Sequence, residues 1–149
     1  MARRKGLSRR ELASLHYRML ILQEMERKWR RAIATHIFYT YILRLAAFTT
    51  KEGSVRVKHL ANVDLRLIGD AVEAFLERYG IPYESEAGGG KKGRRIRVLN
   101  VPALRRLLSS TRQLNYFIEV LEEIIEELQA KYSVEGRIHA EGKRGPPPP

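Results

Sequence analysis

The sequence predicts a mainly α-helical chain with one small β-hairpin, and three patterns carry that expectation. Residues 7–52 contain neither glycine nor proline, while Leu12, Leu15, Met19, Leu22, Trp29 and Ile33 alternate at three- and four-residue spacing along one helix stripe. Residues 113–132 repeat this with Leu114, Phe117, Leu121, Ile124 and Leu128, and Ile118 and Ile125 widen the stripe. Between them, residues 81–99, IPYESEAGGGKKGRRIRVL, read as two short strands around a glycine-rich, basic tip.

Taken in order, residues 1–7 form a basic arm containing Arg3, Arg4 and Lys5, with nothing apolar to anchor it. Ser8 followed by Glu11 has capping-box spacing, so the first amphipathic helix is expected over residues 8–34, with a break near Thr35. Residues 36–48, HIFYTYILRLAAF, are apolar on more than one face and belong in the core, Tyr39 and Tyr41 included. A β-prone run follows at residues 54–57, then a short helical turn over 58–62. Asp64 is placed to cap a helix running to Tyr79, with Leu65, Ile68, Val72, Phe75, Leu76 and Tyr79 as its apolar face. Gly80 and Pro82 end that helix. Asn100 and Pro102 start another that runs to about Ser109. The last helix ends near Tyr132, and residues 133–149, closing in GKRGPPPP, read as a disordered, proline-rich tail.

Lys and Arg number 28 against 17 Asp and Glu, a formal charge of +11 in 149 residues. An excess of that size favours a polyanionic partner, nucleic acid ahead of an anionic membrane. No apolar run reaches the ~18–20 residues of a membrane span, and the N-terminus has no apolar signal core, so a cytoplasmic protein is expected. There is no cysteine, hence no disulfide or thiolate metal site. Abundant Arg and Glu with scarce Asn, Gln and Met suit a thermophile. His16, His36, His59 and His139 are scattered, without HExxH or any i,i+4 pair, and AGGGKKG lacks the order of a phosphate loop. No metal, cofactor, small-molecule substrate or enzymatic activity is therefore expected.

Over residues 35–110 the order of helix, strand, short helix, longer helix, strand, basic turn and strand resembles the small winged helix-turn-helix DNA-binding proteins of archaea and bacteria, here flanked by long amphipathic helices. The resemblance implies that residues 64–79 are presented to a major groove while the hairpin lies along the neighbouring backbone. Strand alternation sets Ile96 and Val98 inward and Arg95 and Arg97 outward, so Lys91, Lys92, Arg94, Arg95 and Arg97 are the expected phosphate contacts. Lys58, Arg66 and the arm residues Arg3, Arg4 and Lys5 join them, and Tyr83 is the wing aromatic best placed to stack on a base. Asp64, Asp70, Glu73 and Glu77 make the longer helix a poor reader of bases, which points to wing-dominated binding. Duplex DNA is the favoured target, with the protein acting as a transcriptional regulator or a chromatin-associated factor. RNA, single-stranded DNA and an adaptor role using the proline tail are the alternatives.

The end helices carry opposite charge, Arg27, Lys28, Arg30 and Arg31 on the first and Glu119, Glu122, Glu123, Glu126 and Glu127 on the last. They either pack on each other within one chain or pair across a two-fold axis. The second arrangement is the favoured one, with Leu114, Phe117, Leu121, Ile124 and Leu128 forming a homodimer seam.

Overall fold

The computed structural model describes residues 6–87 and 93–144, with side chains through Glu135. The first helix, α1 (Arg9–Ile37), begins as its sequence predicts: Ser8 Oγ accepts from the Glu11 N–H at 3.1 Å. No break follows at Thr35, whose hydroxyl donates to the Arg31 carbonyl inside the helix. The chain widens instead into a π-helical turn, Phe38–Ile42, and continues as α2 (Leu43–Ala46). This region has no glycine, proline or cap residue to stop it, and the wider turn brings Ile37, Phe38, Tyr41, Ile42 and Leu45 into the core together, whereas Tyr39, expected there too, is exposed. The C-terminus of α2 is closed from a distance, by Arg105 donating to the carbonyls of Ala46 and Phe48.

Strand β1 (Gly53–Val57) leads into a segment that is not helical. The short helix expected over residues 58–62 is absent, because Asn62 takes a left-handed backbone (φ 63°), which a right-handed helix does not accommodate. A single turn from Leu60 to Val63 stands in its place. Asp64 caps the following turn, accepting from the Arg66 N–H at 2.9 Å, so α3 (Leu67–Arg78) starts later than expected. It ends in a Schellman turn, where the Ile81 N–H donates to the Leu76 carbonyl.

Strands β2 (Tyr83–Ala87) and β3 (Arg94–Val98) form the expected antiparallel hairpin, and β1 adds to its other side to give the order β1-β3-β2. Val55 stands opposite Ile96, and both are buried on the inner face. After β3, Asn100 caps α4 (Val101–Ser109) by accepting from the Ala103 N–H at 3.1 Å. The last helix, α5 (Leu114–Arg144), runs past Tyr132, so residues 133–144 are helical rather than tail. Two glycines in that stretch cost about 1 kcal/mol each in a helix interior, which its good helix formers can absorb. The proline run lies outside the described residues.

The molecule is thus mainly helical with a small three-stranded antiparallel sheet. Its core is centred on Phe38, Phe75 and Phe117, with Phe117 6.2 Å from Phe38 and 6.0 Å from Phe75 between ring centroids. Ion pairs join α1 to α5, Arg31 to Glu122 at 2.8 Å and Arg30 to Glu126 at 3.6 Å, while Arg78 of α3 reaches Glu123 and Glu127. The basic helix and the acidic helix therefore pack within one chain. This corrects the dimer seam expected from α5: Phe117, Leu121 and Ile124 are buried in the chain's own core, Leu128 packs at its edge, and Leu114 alone is exposed. A heptad stripe reads the same whether it covers a domain or a second copy.

Candidate nucleic-acid interface

The outer face of the sheet carries two cross-strand rows. Ser54, Arg97 and Glu84 share one, and Arg56, Arg95 and Glu86 share the next. Register sets which charges meet. Arg97 pairs with Glu84 across the hairpin and lies 3.5 Å from Glu52, and these carboxylates raise its already high pKa further. Arg95 is exposed and makes no ion pair among the described residues, with Arg56 directly opposite on β1. The alternation of buried and exposed positions along β1, with Val55 and Val57 inward, sets Arg56 on this outer face.

Arg94 turns the other way. Its guanidinium lies across Gly69 of α3 and binds Asp70 at 2.8 Å and Glu73, and all three side chains are largely covered. A Cβ on Gly69 would stand 2.8 Å from that guanidinium, so the glycine keeps open the slot through which hairpin and helix are joined. Gly93 fixes the same corner, with φ at 70° and its absent Cβ 2.1 Å from the Val57 carbonyl oxygen. Lys58 and His59 leave β1 beside this corner, exposed, and border a groove with Leu65, Gly69 and Arg94.

The longer helix is held mainly by contacts within the chain. Leu67, Ile68, Gly69, Ala71, Val72, Phe75 and Leu76 are all buried, which covers α3 on more than one side. Its polar groups are engaged within the chain. Asp70 accepts from the Tyr132 hydroxyl at 2.6 Å as well as from Arg94, Glu77 accepts from the Tyr83 hydroxyl, and Arg78 faces α5. Burial first, and then these bonds to carboxylates, push the Tyr83 and Tyr132 phenols well above their ordinary range. Tyr83 is thereby tied to α3 through its hydroxyl.

Arg66, the strongest base-reading candidate in the sequence, is also occupied. It stacks 4.0 Å above the Tyr132 ring and lies 3.3 Å from Asp64 and 3.8 Å from Glu135. Of the expected contacts, then, Arg66, Arg94 and Arg97 have intramolecular carboxylate partners, whereas Arg95 and Lys58 are exposed on the side of the sheet nearest the hairpin turn. Lys91, Lys92, Arg3, Arg4 and Lys5 lie outside the described residues.

Among the described residues no group of three or more His, Asp or Glu side chains could hold a metal, and no helix is long and apolar enough to cross a membrane. No known protein family, curated protein or solved structure matches this chain.

Proposed function

We propose that this protein binds nucleic acid through the sugar-phosphate backbone, without reading sequence, and that duplex DNA is its main target. The fold is read as a variant of the winged helix in which the hairpin makes the contact and the longer helix is a structural strut. One observation carries the reading. In a chain with an excess charge of +11, Arg95 and Lys58 stand exposed, with no ion pair among the described residues, beside the strand ends that lead to Lys91 and Lys92, whereas Arg94 and Arg97 are held by carboxylates. Guanidinium and ammonium groups there bind phosphates and release condensed counterions. A chromosome-associated role in the cytoplasm follows from such a target.

The experiment is fluorescence anisotropy on a labelled duplex as salt is varied. Each phosphate contact contributes about 0.9 to the slope of log K against log salt on B-DNA. Lys91→Gln, Lys92→Gln and Arg95→Gln together lower that slope by roughly 2 to 3, and an unchanged slope contradicts the assignment. Burial of α3 specifically favours a second reading, single-stranded DNA or structured RNA, since neither requires a helix in the major groove. Competition at one salt concentration separates the two, because duplex displaces the probe best under the first reading and worst under the second.

A further inference from the structure

In its last two turns α1 is part of the body, where Ile33, Ala34 and Ile37 are buried. Before Trp29 it leaves the body while keeping the same apolar stripe. Leu12, Leu15, Met19, Leu22 and Met25 are 52%, 43%, 58%, 59% and 60% exposed, and Tyr17, Leu20 and Ile21 are exposed around the rest of the helix. A solitary helix of this length is marginal in water, and one that is apolar on several sides is normally covered.

We propose that this half of α1 is the contact face of a homodimer, in which the helices of two copies pair antiparallel. Area is the first argument. Five large side chains, each about half exposed, present roughly 500 Å², near the upper end of what a monomer leaves open. Two copies together remove about 1,000 Å², the lower bound of a specific interface. Charge is the second. Glu24 is engaged by Arg27, and Glu26 is the one charged side chain of the stripe itself, so a parallel pair sets Glu26 against its own copy, while the antiparallel arrangement sets it against the basic start of the opposing helix, Arg9 and Arg10, twice across the two-fold axis. With Leu12 against Leu22 of the other copy and Leu15 against Met19, Glu26 comes beside the opposing Arg9. Arg18 then lies near its own symmetry mate, where its long side chain turns out to solvent. A bilayer is the poorer occupant, because Glu26 sits in the stripe and would be drawn into the acyl boundary.

The test needs no nucleic acid and is independent of the binding reading. Sedimentation equilibrium of the full chain at micromolar concentration gives twice the 17.2 kDa chain mass, and the double variant Leu15→Glu, Met19→Glu halves it. Both side chains lie outside the body, so near-UV circular dichroism and the thermal transition of the body stay as in the parent. The chain has no cysteine, so introduced ones report contacts without background. Arg18→Cys crosslinks to itself on oxidation, whereas Leu12→Cys crosslinks only when mixed with Leu22→Cys. A monomeric parent, a dimer that persists in the double variant, or a Leu12→Cys self-crosslink overturns the proposal. So does a monomer that co-sediments with phosphatidylserine vesicles, which would make a membrane the occupant.

Discussion

Arg94 and Arg95 are adjacent on one strand and face opposite ways. Alternation sends Arg94 inward to Asp70 and Glu73 and leaves Arg95 in the solvent row. Arg94→Gln leaves two carboxylates facing each other without a cation in a partly covered site. It is expected to cost about 1–3 kcal/mol in chemical denaturation while leaving the salt slope of binding nearly unchanged. Arg95→Gln is expected to do the reverse, with stability within about 0.5 kcal/mol of the parent and a lower slope. If Arg94→Gln lowers the slope as much as Arg95→Gln does, the division of labour is wrong. Gly93→Ala meets both a left-handed backbone and the Val57 carbonyl, and denaturation should register a loss of more than about 1 kcal/mol. The local cues for Ser8 and Asn100 as caps were legible, because each acts within three residues of itself. The partner of Arg94 was not, since Asp70 and Glu73 lie on a different element and no periodicity links them.

Among the elements, α3 shows where sequence patterning stops short. Its apolar face was readable from Ile68, Val72, Phe75 and Leu76, and so was its end at Gly80, but Leu65, expected on that face, precedes the helix and is exposed. A second buried side, built from Leu67, Gly69 and Ala71, was not readable, because Gly69 and Ala71 weigh little in an apolar pattern and Leu67 falls off the stripe of Ile68, Val72 and Phe75. The end of α5 was misread for a related reason, since isolated glycines weaken a helix without ending it. Tyr83 and Tyr132 tie α3 to β2 and α5 through carboxylates, and their phenols are raised above the ordinary value of 10.0. A raised pKa means that the folded state holds the proton more tightly than the unfolded chain does. The stabilisation is therefore complete below pH 10 and is lost as pH rises toward the folded-state value. The thermal midpoint should fall on titration above pH 10, and fall less steeply in Tyr132→Phe, whose hydroxyl no longer titrates. Parallel curves for the two proteins would remove this role from Tyr132.

For the molecule as a whole, the large positive charge and the acidity of α5 belong to one arrangement. Glutamates of α5 meet Arg30, Arg31 and Arg78 inside the chain, which joins the two ends of the sequence, while Arg95 and Lys58 on the sheet side make no ion pair among the described residues. Opposite charge on the end helices was legible, but the stripe that each carries was not enough to say which faces the core. The structure gives the stripe of α5 to the core and leaves that of α1 in solvent. The central claim is contact with phosphates at the hairpin, and the salt dependence of duplex binding by the full chain tests it most directly. With Lys91, Lys92 and Arg95 replaced by Gln, the slope of log K against log salt should fall by roughly 2 to 3 while the fold is retained. A slope equal to that of the parent would contradict it.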